Sequence, residues 1–197
     1  MSSIAFARVL LAAASLVSLS AQALTLTGSV TGPKENPPNA SPGTSSAIVD
    51  MDLSTHTLHV VFTFVDLTAP TTASHIHCCA APPGTASVAT AVPTFPGFPS
   101  GVTFGNYDAS FNTLSASTYN PAFVSANGGT AASAEAALFA GLAAGQAYLN
   151  IHTTAFPAGE IRAFLNPVPI PEPSTYALMG AGLAAVGALA RRRRGER

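Results

Sequence analysis

Between Leu24 and Leu165 apolar and polar residues alternate in short runs, the period of strands that bury one face. Leu24, Leu26 and Val30 oppose Thr25, Thr27 and Ser29, with Gly28 expected as a bulge. Lys34 to Gly43 is a Pro/Asn/Gly loop. Ala47, Val49, Met51 and Leu53 then point one way and Asp50 and Asp52 the other. Past a turn at Ser54 to His56, Leu58, Val60, Phe62 and Phe64 share a face, so the two runs predict a hairpin. Further strands are expected at Ala73–Cys78, Ser87–Val92 and Phe111–Tyr119, with a long Pro/Gly-rich loop over Pro82–Gly105. One short helix is expected at Ser133–Ala144, capped by Ser133 and stopped by Gly145. Strands at Gln146–His152 and Glu160–Leu165 close the domain. Short strands at regular spacing predict an all-β fold, a β-sandwich or Greek-key barrel, and no internal repeat is visible.

The two ends break this alternation. Met1 to Arg8 carries one positive charge, Val9 to Leu19 is apolar, and Ala21-Gln22-Ala23 follows. A charged start, a short apolar middle and small residues at Ala21 and Ala23 make a signal peptide, residues 1–23, cleaved after Ala23. At the other end Tyr176 to Ala190 is small and apolar, and Arg191, Arg192, Arg193 and Arg194 follow. This predicts a transmembrane helix, with the arginines as a cytoplasmic stop and the bulk of the chain outside. The run is slightly short for an average bilayer.

Removing both ends leaves one domain, residues 24–166, large enough for a core of its own. The whole-chain charge of −1 hides an asymmetry. Between Leu24 and Pro171 only Lys34 and Arg162 are basic, against seven carboxylates, so the domain is acidic. Nucleic acid is excluded as a partner, because phosphate binding needs clustered Lys and Arg.

Pro171-Glu172-Pro173, a short apolar helix and the terminal arginines together resemble the PEP-CTERM sorting signal. The resemblance covers residues 167–197 and implies recognition by an exosortase after passage through the export machinery. It implies transient anchoring in the inner membrane, then release to the cell surface or beyond. Four internal segments resemble the CHRD (chordin-like) domain: Gly32-Pro33-Lys34-Glu35-Asn36-Pro37-Pro38, Ser74-His75-Ile76-His77, Ala147-Tyr148-Leu149-Asn150-Ile151-His152-Thr153 and Gly159-Glu160-Ile161-Arg162. That family implies an immunoglobulin-like β-sandwich in extracellular proteins and no particular enzyme activity.

His75 and His77 leave the same face of one strand, and Tyr148, Asn150 and His152 share a face of another. If those strands are neighbours, three imidazoles converge as the ligand set of a zinc or copper site. The competing expectation is structural: sheet histidines hydrogen-bonded to loop carbonyls or carboxylates. His56 and His59 read as surface residues, and Glu160 and Arg162 are expected to pair on one strand face. Cys78 and Cys79 are adjacent, in a chain bound for an oxidising compartment. Free thiols, sulfur ligation beside His77 and intermolecular pairing are open to them, but the expectation is a vicinal disulfide clasping the turn after the His75–His77 strand.

No Gly-x-Ser-x-Gly, phosphate loop or His-Glu-x-x-His is present, so no catalytic residue is assigned. The leading expectation is a non-catalytic surface or matrix protein. The alternatives are a metal-binding or metal-dependent redox protein using the histidines, and a polysaccharide-binding module using Tyr107, Phe111 and Tyr119. Whether His152 meets His75 and His77 discriminates between the first two.

Overall fold

The structure, a computed structural model, describes residues 23–169 and 173–195. Eight antiparallel strands form one sheet: β1 (Ala23–Thr31), β2 (Thr44–Asp52), β3 (Thr57–Val65), β4 (Thr71–Cys78), β5 (Gly105–Asn112), β6 (Ala147–Thr153), β7 (Ile161–Phe164) and β8 (Asn166–Pro167). Their order is β4-β6-β7-β1-β2-β3-β5, with β8 paired to β1. The sheet has two halves, β4-β6-β7 and β1-β2-β3-β5, joined among the described residues by Thr31 opposite Arg162 and by the short β8. The connections β3–β4, β4–β5 and β5–β6 each cross from one half to the other. Both halves turn an apolar face to a common core, so the sheet curls on itself and encloses that core as the layers of a sandwich do.

The predicted alternation builds this core. Leu26, Val30, Val49, Met51, Leu58, Val60, Phe62 and Phe64 come from one half, and Ile76, Leu149, Ile151, Ile161 and Ala163 from the other. The β2–β3 hairpin runs in register from Thr44↔Val65 to Asp52↔Thr57. β1 pairs with β2 through Gly28↔Ala47 without interruption, so Gly28 is not a bulge.

Other expectations need correction. The strand predicted over Phe111–Tyr119 lies earlier, at β5, because the chain turns into a 3-10 segment at Ala116–Thr118. Ser87–Val92 is no strand; it contributes isolated bridges, His77↔Val88 and Thr90↔Tyr119. The domain has two helices rather than one, α1 (Pro121–Ala126) and α2 (Ala131–Ala143). α2 is capped by Thr130, and Ser133 sits at the third helical position in a reciprocal capping box. Leu138 and Leu142 of α2 are fully buried in the core.

Residues 173–195 form α3 (Pro173–Gly195), exposed from Tyr176 to Gly187. The expected transmembrane helix is not supported, since among the described residues no helix is long and apolar enough to cross a membrane. The uncharged run Tyr176–Ala190 spans about 22 Å at about 1.5 Å per residue, against a hydrocarbon core of about 30 Å. The signal peptide up to Gln22, with Ala21, and the sorting residues Pro171 and Glu172 lie outside the described residues. Ala23 opens β1.

Candidate metal centre

β4 and β6 are hydrogen-bonded neighbours, which places their histidines together. The register sets Ala73 opposite His152, His75 opposite Asn150, and His77 opposite Tyr148. Five of these six positions carry polar or aromatic side chains on the face turned away from the apolar core. That face is not open to solvent: of these, His75, Tyr148 and Asn150 are buried. Loops containing Glu35, Pro83, Ala86, Pro93 and Pro157 supply hydrogen-bond partners to this layer.

His75, His77 and His152 each offer one ring nitrogen to a common point, the three atoms lying within 4.8 Å of one another. The opposite nitrogens are all committed. His75 Nε2 donates to the carbonyl of Pro93 at 2.8 Å, His77 Nδ1 to that of Ala86 at 2.9 Å, and His152 Nδ1 to that of Pro157 at 2.9 Å. A carbonyl only accepts, so the protons sit on those nitrogens in the neutral rings. His75 Nδ1, His77 Nε2 and His152 Nε2 therefore turn lone pairs inward.

Burial keeps all three rings below the ordinary imidazole pKa, and takes His77 to about 4. At neutral pH they are uncharged. The 3.3 Å approach of His75 Nδ1 to His152 Nε2 is then lone pair against lone pair, not a hydrogen bond. His77 Nε2 is buried with no protein partner. A cation resolves both defects at once. In a tetrahedral site nitrogens bound at about 2.0–2.1 Å lie roughly 3.3–3.4 Å apart. His75 Nδ1 and His152 Nε2 already have that separation, at 3.3 Å, so binding requires the wider pairs, within 4.8 Å, to close inward. Carbonyl hydrogen bonds on the outer nitrogens are the usual means of orienting such ligands.

Around the imidazoles the layer continues. The Tyr148 ring stacks on His77 at 4.6 Å and 8°, and the Arg162 guanidinium lies 4.8 Å from the same ring. Arg162 is 2% exposed and donates to the carbonyls of Lys34 (2.5 Å), Pro83 (2.9 Å) and Gly84 (3.3 Å). Its carboxylate neighbour is Glu35, at 3.9 Å. Burial raises the Glu35 pKa, opposed by Arg162 and by the Asn150 amide, which donates to Oε1 at 2.9 Å.

The expected Glu160–Arg162 pair does not form. Glu160 lies ahead of β7, outside its alternation, and its buried carboxylate instead accepts from Ser41 Oγ, the Thr68 backbone N–H and Thr153 Oγ1, each at 2.6 Å. The sugar-binding platform is likewise corrected. Tyr107 and Tyr119 are core residues, 4% and 2% exposed, whose hydroxyls donate to Pro96 and Thr113 carbonyls, and Phe111 packs against the same core.

His59 is a surface residue as expected, between Asp108 and Asp50. His56, partly exposed, also ties its turn to α2 through buried Glu135 at 2.9 Å. The sulfurs of Cys78 and Cys79 lie in bonding contact, seated against α2 at Gly141, where any Cβ would collide with both. Glu35 was missed as a neighbour of the site: it lies 115 residues from Asn150, and no local signal joins them.

Residues 169–194 match the PEP-CTERM protein-sorting motif, which implies recognition by an exosortase and export. No curated protein and no solved structure matches the chain. Residues 26–165, the whole β domain with its imidazole cluster, match the CHRD domain, and the chain belongs to that family.

Proposed function

We propose that this exported protein is released by processing of its tail to the cell surface or surrounding matrix, and that its CHRD domain holds one copper or zinc ion between His75, His77 and His152. The observation that carries the reading is the inward convergence of three unprotonated nitrogens whose rings are locked from behind by carbonyls. Purely structural histidines would gain nothing from facing lone pairs at one another. Neutral imidazole is a good ligand for copper and zinc, and among the described residues no carboxylate or thiol joins the cluster to favour a harder ion or a thiolate site.

The role proposed is binding rather than turnover of an organic substrate, consistent with a sequence that offers no nucleophile motif. Cys78 and Cys79, as a vicinal disulfide, would be spent on holding the end of β4 against α2 rather than on the metal. The test is metal content of the exported protein after loading with Cu(II) or Zn(II) and dialysis, beside a His75→Ala/His77→Ala variant. One equivalent in the wild type and none in the variant is expected. Little metal in the wild type, or equal metal in both, refutes the site.

A further inference from the structure

Asn150 is 2% exposed, and its Oδ1 is buried with no hydrogen-bond partner among the described residues. It shares the outer face with the three histidines, directly across from His75 and two residues from His152. Its Nδ2 is engaged by Glu35 Oε1 at 2.9 Å, and Glu35 sits on the β7 side, beside Arg162, which is opposite Asn150 in that strand. Gly159 permits this arrangement, since a side chain there would collide with the Asn150 amide and meet Glu35 Oε1 at 2.7 Å. The two arms of an amide diverge, so with Nδ2 held by Glu35 the Oδ1 is left free to face β4 and the imidazoles.

Two buried orphans thus share one face, His77 Nε2 and Asn150 Oδ1. They cannot satisfy each other, because a lone-pair nitrogen and an amide oxygen both only accept. Leaving both unpaired is costly. A metal ion carrying a water resolves the pair: the ion accepts the nitrogen lone pair, and the water donates a hydrogen bond to Oδ1.

Resting on the metal reading above, we infer that the bound ion has an open fourth position for a small oxygen ligand, and that Asn150 selects what occupies it. Glu35, Gly159 and Arg162 hold the Asn150 amide in the selecting orientation. Oδ1 favours a ligand that donates a hydrogen bond, such as water or hydroxide, and disfavours an anion with no proton. The four sequence segments around Glu35, His75/His77, Asn150/His152 and Arg162 then form one device, with ligands and selector separated.

Azide, which has no proton to give, is the probe. The full exported chain and an Asn150→Leu variant are loaded with Cu(II) and titrated with azide through the ligand-to-copper absorption band. Leucine is close to asparagine in size and leaves no room for a replacement water. The variant should keep one copper and bind azide about tenfold more tightly, the loss of roughly one polarised hydrogen bond favouring water. One copper with azide affinity within about twofold of wild type overturns the selector while leaving the metal site standing. Loss of copper in the variant also overturns it, by making Asn150 a ligand or a scaffold instead. A wild type that takes up no copper overturns this inference, and one that takes up no zinc either removes the metal reading as well. If Asn150→Leu does not fold, a crystal structure of the copper-loaded wild type decides: a copper-bound oxygen within hydrogen-bond reach of Oδ1, about 3.5 Å at most, supports the inference, and none there overturns it.

Discussion

Replacing His77 with phenylalanine should abolish metal binding while leaving the metal-free domain at least as stable. In the metal-free protein His77 makes one hydrogen bond, Nδ1–H to the Ala86 carbonyl at 2.9 Å, and buries Nε2 with no partner. Losing the hydrogen bond costs about 0.5–1.5 kcal/mol, whereas removing an unsatisfied buried acceptor recovers about 1–3 kcal/mol. The Ala86 carbonyl is not orphaned by the change, because the Tyr148 hydroxyl also donates to it at 3.2 Å. Phenylalanine can keep the stack on Tyr148 now seen at 4.6 Å, an interaction of about 0.5–1.5 kcal/mol. The expected balance is a gain of about 1 kcal/mol, read as a rise of about 4 °C in Tm for a domain of this size. Metal reverses the order. At about 100 times its Kd, an ion stabilises the wild type by about 2.7 kcal/mol and His77→Phe not at all. Differential scanning calorimetry of both proteins, with and without Cu(II) or Zn(II), makes the comparison. A metal-free His77→Phe protein less stable than wild type by about 2 kcal/mol or more would refute the reasoning, since His77 would then be a satisfied structural residue.

Three further outcomes test other parts of the molecule. The Glu160 carboxyl feels burial most, which pushes its pKa up, but hydrogen bonds from Ser41, Thr153 and Thr68 outweigh that and hold it below the ordinary 4.5. The folded state then binds fewer protons than the unfolded one in acid, so this stabilisation is complete above about pH 4.5 and is lost as pH falls through the folded pKa. Urea denaturation of Glu160→Gln should show lower stability at pH 7 and a shallower loss toward pH 3 than wild type; parallel curves would contradict the assignment. Gly159→Ala introduces a Cβ against the Asn150 amide at a backbone φ of +131°, and should cost about 2 kcal/mol or more, an unchanged Tm being the adverse result. Substituting Pro171, Glu172 and Pro173 with alanine should leave unprocessed full-length precursor on immunoblots, and normal maturation would refute the role of the tail.

Much of the strand pattern was legible because it rests on local periodicity. The β2–β3 hairpin, β4 and the closing strands follow from residues two apart sharing a face, whatever the rest of the chain does. Errors arose where local signals compete. Ser133 is a good helix cap by type, yet Thr130 captures the helix start and uses Ser133 as its reciprocal partner. Tyr107 and Tyr119 could have been surface aromatics by sequence, and only the folding of the loops around Pro96 and Thr113 makes them core.

The candidate site divides along the same line. Sequence alone determined that His75 and His77 share a face, that Tyr148, Asn150 and His152 share another, and that the tail carries a sorting signal, since each depends on spacing within one segment. Tertiary structure decided that β4 lies beside β6, that the outer face is roofed by loops, and that each imidazole turns its lone pair inward. It also replaced the expected Glu160–Arg162 pair with Glu35–Arg162 and joined Glu35 to Asn150 across 115 residues. The physical reason is that side-chain direction along a strand is a local property of the backbone. Strand adjacency, desolvation and the choice of hydrogen-bond partner depend on segments brought together only when the apolar faces of both half-sheets are buried against each other.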